Sequence, residues 1–233
     1  MSGQVFLALR PAERLIELAR KTPPMRMVYG AGRAYVQRGK ADPSRSDAEL
    51  RREVLWNACH EAGHAVADAS LYSDGVVRFT TIEHEGDLHG YTERLIRRDR
   101  PPINLPGTPV QGEEAQRAIA LGVSAYSGAA CELFAPFSPE SREWKAGRPM
   151  ASPLLKRYDA SSLSDRVNLE RLAAGLCKLR YPSEEIHLGL LNRTREFLVP
   201  RWHVVYAVAA ELCAHGRLEG ERVEEIVRGA EQR

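Results

Sequence analysis

Over residues 46–71 apolar side chains recur at helical spacing. At about 100° per residue, Leu50, Val54, Leu55, Ala58, Cys59, Ala62, Ala65, Val66 and Ala69 share one broad sector. Glu53, Asn57, His60, His64, Ala67 and Leu71 fall on the opposite side. Ser46 with Glu49 three residues on forms a capping box, and only Gly63 interrupts the run to Leu71. Before it, Leu15, Ile16, Leu18 and Ala19 mark a short amphipathic helix over 11–21, stopped by Thr22-Pro23-Pro24.

Residues 22–46 read as a basic connector, with Arg26, Arg33, Arg38, Lys40 and Arg45 as a solvated surface. After the long helix, Ser73-Asp74-Gly75 marks a turn, and residues 76–83 and 89–96 read as two strands of a hairpin around Gly86-Asp87. Pro101, Pro102, Pro106, Gly107 and Pro109 define a loop. A second long helix over 111–134 is rich in small residues, among them Ala120, Ser124, Gly128 and Ala129, which suit close packing against a neighbour. A Pro-rich connector runs to about Leu163. Helices follow over 164–180, 183–198, 200–215 and 221–228, delimited by Pro182, Pro200, Gly216 and Gly220. The predicted fold is mainly α (α+β), with one small β-hairpin or sheet beside the long helix. Residues 1–45 form an N-terminal appendage and connector, and residues 46–233 one domain.

With 233 residues and 43% apolar content the chain can bury a proper core. A formal charge of +2 leaves no electrostatic footprint for nucleic acid or an anionic membrane. Cys59, Cys131, Cys177 and Cys213 form no Cys-x-x-Cys and sit in apolar helical patterns, as buried reduced thiols do. No signal segment is expected at the start, and the longest uncharged stretch, Ala118 to Cys131, is too short to span a bilayer. A reducing, cytoplasmic setting is the expectation. Gly30-Ala31-Gly32 lacks a dinucleotide-binding context.

The chemistry concentrates in His60-Glu61-Ala62-Gly63-His64. Histidines at i and i+4 project from one helix face with Cβ atoms roughly 5–6 Å apart, so both imidazoles can reach one Zn²⁺ at about 2.0–2.1 Å. Glu61 beside them is placed to deprotonate a water. A catalytic zinc needs a third protein ligand. The metzincin continuation fails, because Ala67 and Ser70 stand where a glycine and a histidine are required. Asp165 opens a later helix, where it serves equally as cap or ligand. His84, His89, His187, His203 and His215 have no metal spacing, whereas Glu132 and Asn57 are candidate outer partners of a ligating histidine.

The chain from about Ser46 to Arg228 resembles the peptidase domain of the FtsH family of membrane-bound, ATP-dependent zinc proteases. The resemblance is carried by His60-Glu61-Ala62-Gly63-His64-Ala65, by Thr81-Ile82 leading to Gly90-Tyr91-Thr92, by Ala129-Ala130-Cys131-Glu132-Leu133-Phe134, and by Arg217 to Ile226. It implies His60, His64 and Asp165 as zinc ligands and Glu61 as catalytic base. It also implies an edge strand at Gly90, Tyr91 and Thr92 that holds an extended polypeptide substrate by strand addition. Departures are Arg166 after the aspartate and a long 135–163 connector, which leaves Asp159 as a rival ligand. No ATPase module is read: around Gly39-Lys40, Ala34 and Ala41 replace the residues a phosphate loop requires. No membrane helix is read either. The expectation is therefore a zinc-dependent endopeptidase acting on unfolded or flexible polypeptides without ATP hydrolysis of its own. A separate ATPase or adaptor, and a homo-hexamer, are implied as partners by the resemblance. The competing expectation is a non-proteolytic zinc-binding scaffold or regulator that kept the fold.

Overall fold

The computed structural model describes residues 9–23, 25–30, 33–38, 42, 44–72, 76–95, 113–134 and 183–231. The described elements run α1 (Glu13–Lys21), β1 (Met25–Gly30), β2 (Arg33–Arg38), α2 (Asp47–Leu71), β3 (Val77–His84), β4 (Asp87–Arg94), α3 (Glu113–Phe134) and α4 (Ser183–Leu198). A 3₁₀ turn (Val199–Arg201), α5 (Trp202–His215), β5 (Arg217–Glu219) and α6 (Gly220–Glu231) complete them. The fold is mainly α with a small antiparallel sheet, as its patterning predicts.

α2 starts where its capping box directs. The Ser46 hydroxyl accepts from the Glu49 amide, and the Glu49 carboxylate accepts from the Ser46 amide at 2.8 Å. Beyond Val54 both sides of the helix are covered: Ala58, Ala62 and Val66 are buried, and so are His60, His64, Ala67 and Leu71. The two-sector wheel thus describes two packed faces rather than a core face and a wet one. The second face is covered because α3 is narrow there. A Cβ added to Gly63 would lie 2.4 Å from the Ser127 carbonyl oxygen and 2.7 Å from Cys131 Sγ, so the α2 and α3 backbones nearly touch.

β3 and β4 pair antiparallel across a tight Glu85-Gly86 turn in which both residues have positive φ, 51° and 82°, the geometry that suits a two-residue hairpin loop. The register places Thr80 opposite Thr92 and Thr81 opposite Tyr91, with irregularities on either side. β5, too short to give a pattern of its own, pairs with the other edge of β3, so the sheet order is β4-β3-β5. β1 and β2 form a separate hairpin with Met25 opposite Arg38 and Gly30 opposite Arg33, where the basic connector is expected. Charged residues at every few positions obscure its alternation in the sequence.

α1 packs on the common core through Leu15, Ile16 and Ala19. Arg14 reaches both Glu83 on β3 and the His215 carbonyl closing α5. Arg45 belongs to this seam and not to a solvated surface: it pairs with Glu53 and donates to the Ala19 and Thr22 carbonyls. By length and composition the stretch Gly189–His215 could cross a bilayer. Val204, Val205, Val208 and Leu212 on it are core residues.

Gly63→Ala tests the α2–α3 contact. Helix propensity alone would favour alanine by up to about 1 kcal/mol. The added methyl meets a backbone oxygen that cannot rotate away, and overpacking of this kind costs about 1–3 kcal/mol. A net loss of about 1–2 kcal/mol is expected, read as a lower urea midpoint at unchanged slope.

Candidate metal centre and catalytic base

Four-residue steps on two helices build the centre. His60 and His64 lie one turn apart on α2, and Ser124, Gly128 and Glu132 lie one turn apart from one another on α3. The two series meet in opposite directions. His64 Nδ1 donates to the Ser124 carbonyl at 2.8 Å, and His60 Nδ1 lies 2.8 Å from Glu132 Oε1. A carbonyl only accepts, and an ionised carboxylate only accepts, so both Nδ1 atoms carry the proton and both Nε2 atoms present lone pairs in the neutral rings.

The two Nε2 atoms are 3.1 Å apart. Two lone pairs facing each other at that distance repel unless a proton or a cation lies between them. Nitrogens sharing one tetrahedral zinc at about 2.0–2.1 Å stand roughly 3.3–3.4 Å apart, so the observed spacing suits a shared ion after a shift of a few tenths of an ångström. Ligating histidines characteristically donate their other nitrogen to a carboxylate or carbonyl, as both do here. Gly128 lets the α3 backbone pack against both rings. A Cβ built on it would lie 2.5 Å from His64 Nε2, 2.6 Å from His60 Nε2 and 2.7 Å from His60 Cε1. The two imidazoles therefore fit two of the ligand positions around a zinc ion.

Among the described residues no group of three His, Cys, Asp or Glu side chains converges to hold a metal. The ligand implied by resemblance, Asp165, and its rival Asp159 lie outside the described residues, as does Arg166. His89, His203 and His215 are exposed. Asn57 bonds the Glu53 carbonyl one turn back, which leaves Glu132 as the carboxylate on a histidine. Burial pushes the Cys59 and Cys131 thiols well up and the Cys213 thiol up to about 12, so these three remain neutral and are poor metal ligands at neutral pH. Cys177 lies outside the described residues.

Glu61 turns toward the sheet. Thr92 Oγ1 donates to Glu61 Oε2 at 2.7 Å, and a Cβ on Gly90 would lie 2.3 Å from Glu61 Oε1, so β4 crosses directly over this carboxylate. Two residues further, Arg94 Nη1 pairs with Asp68 Oδ1 at 3.3 Å and also donates to the Ser124 hydroxyl. Asp68 is 0% exposed and sits one turn beyond His64. Gly90, Thr92 and Arg94 thus form one inward period-two face that contacts α2 at each step. Tyr91, on the other face, is 43% exposed beside Phe79, with 5.8 Å between ring centroids. Sequence reasoning links Gly90 and Thr92 to substrate and misses their contact with Glu61. It also misses Ser124, Gly128, Asp68, Arg94 and Thr80. The Ser124-Gly128-Glu132 spacing matches that of His60 and His64 and was the available signal.

No protein-family model matches this chain, and no curated protein matches it in sequence.

Gly128→Ala should abolish or weaken Zn²⁺ binding by at least about 10–100-fold, the scale at which disturbed ligand surroundings act. The helical circular dichroism should be retained. Calorimetric titration of metal-free protein with Zn²⁺ measures it, and wild-type affinity in the variant would contradict the assignment of the two Nε2 atoms to the ion.

Proposed function

We propose that the protein is a zinc-dependent endopeptidase acting on unfolded or flexible polypeptides without ATP hydrolysis of its own. The observation that carries the reading is the pair of converging Nε2 atoms, each ring oriented through Nδ1, with the Glu61 carboxylate buried on the same helix turn. The resemblance to the FtsH peptidase domain supports it and nominates Asp165 to complete the ligand set with His60 and His64.

His60 and His64, with Asp165 as the nominated third ligand, would hold zinc, which would supply Lewis acidity and bring the pKa of the attacking water toward about 7. Glu61 takes the proton of that water and returns it to the leaving amine as the peptide bond breaks. Glu132 and the Ser124 carbonyl keep both imidazoles in the tautomer that directs Nε2 to the ion. Among the described residues β4 is an edge strand, so a substrate can add to it by main-chain hydrogen bonds, with little dependence on its side chains. Strand addition requires an extended substrate. A separate ATPase or adaptor is a partner that would widen the substrate range, and a hexameric ring is the assembly the resemblance implies.

The decisive experiment incubates purified protein with casein, with and without a chelator, and measures zinc content. About one zinc per chain and chelator-sensitive cleavage are expected. His64→Ala should lose most of the zinc. Glu61→Gln should keep zinc and fold yet lose cleavage by about 10²–10⁴-fold, since an amide cannot accept the proton. Zinc binding by a wild-type protein that cleaves nothing would favour the scaffold reading instead.

ATP-independence has its own test. Cleavage of a destabilised variant of one substrate should proceed without ATP, while the stable parent is cut only in disordered tails, where local opening costs almost nothing. Equal rates on both, or a requirement for ATP by the isolated protein, would count against the proposal.

A further inference from the structure

We infer that Thr80 and Thr92 form a two-hydroxyl relay that positions Glu61 and divides the work of its two carboxylate oxygens, an inference that rests on the peptidase reading above. The sheet register sets Thr80 directly opposite Thr92, and their hydroxyl oxygens are 2.9 Å apart. Thr92 Oγ1 is 2.7 Å from Glu61 Oε2. Each hydroxyl has one hydrogen, and an ionised carboxylate can only accept. Thr92 therefore donates to Glu61, and Thr80 must be the donor to Thr92.

Thr80 is fully buried and Glu61 is 5% exposed, so the chain runs from the interior of the sheet to the base with little competition from water. Hydrogen bonds in such a chain polarise one another, each strengthening the next by about 10–30%. Oε2 is the anchored oxygen. Oε1 lies over Gly90, the position at which β4 has no side chain, and is the oxygen assigned to take the water's proton and hand it back to the leaving amine. Thr80 and Thr92 touch neither the water nor the substrate bond. They act through Glu61 and are positioning residues.

The test uses the full chain with Thr92→Val, Thr92→Ser, Thr80→Val and the Thr80→Val/Thr92→Val double variant. Valine keeps the branched shape and deletes the hydroxyl, whereas serine at 92 restores it. With casein-derived unfolded substrate, Thr92→Val should lower kcat about 10-fold with KM and zinc content unchanged, the scale of one hydrogen bond to a charged group. Thr92→Ser should recover most of that loss. Thr80→Val should lower kcat less, and the double variant should be no worse than Thr92→Val alone, because Thr80 acts only through Thr92.

A second readout needs neither turnover nor metal. In metal-free protein labelled with ¹³Cδ-glutamate, the Glu61 resonance is identified by its disappearance in Glu61→Gln. It should move in Thr92→Val and in Thr80→Val, and return in Thr92→Ser. An unmoved resonance in Thr92→Val, wild-type kcat in that variant, or multiplying losses in the double variant would overturn the relay. A moved resonance in a protein that cleaves nothing would uphold the positioning and overturn the peptidase reading alone.

Discussion

The structure depends on how closely two helices approach. Gly63 on α2 lies against the Ser127 carbonyl and Cys131, and Gly128 on α3 lies against the two imidazoles, so each helix contributes a missing side chain at the contact. This proximity brings a backbone carbonyl and a carboxylate within hydrogen-bond reach of rings on the neighbouring helix. Larger residues at either position would separate the backbones, and the histidines would lose their tautomer control. Small residues are commonly a concession to packing. Here they also bring the groups that orient both rings within reach.

That contact creates a polar layer inside an apolar protein. Glu61, Asp68 and Glu132 are all buried beside the histidines, and a buried carboxylate without a partner would cost several kcal/mol. Each has one: Thr92 for Glu61, Arg94 for Asp68 and His60 for Glu132. Two of these partners come from β4, so the hairpin is part of the site and not a decoration beside it. The hairpin is held in turn from outside. Thr22, just past α1, accepts from the Leu88 amide at 2.8 Å, and Arg14 ties α1 to Glu83. The N-terminal helix thereby supports the strand that covers Glu61.

Much of this was legible in the sequence. The capping box fixed the start of α2, the His-Glu-x-x-His spacing defined the paired rings, and the small residues of α3 announced a close neighbour. What one helix wheel cannot state is which neighbour covers which side. The histidine face was therefore readable as polar, but not as buried under Ser124, Gly128 and Glu132. β5 spans three residues, fewer than an alternation needs to declare itself, and the β1–β2 hairpin is masked by its arginines. Thr80 looked like any β-branched strand residue, since only the cross-strand register pairs it with Thr92. Asp165 rests on its helix-opening context and on resemblance, because its segment lies outside the described residues.

The register of the β3–β4 hairpin has a consequence of parity. Side chains on a strand alternate faces, so a slip of one residue would turn Tyr91 inward onto Glu61 and send Gly90 and Thr92 outward. The sheet could still form its ladder, and most of the apolar core, which lies on the helices, would be unaffected. The contacts of Thr92 and Gly90 with Glu61 would not survive the inversion. The two-residue Glu85-Gly86 turn, with both residues at positive φ, is thus more than a connection. Between that turn and the site the pairing gains one residue on β4, from Glu83 opposite Leu88 to Thr81 opposite Tyr91, so the turn and this irregularity together set which residues of β4 cover the carboxylate.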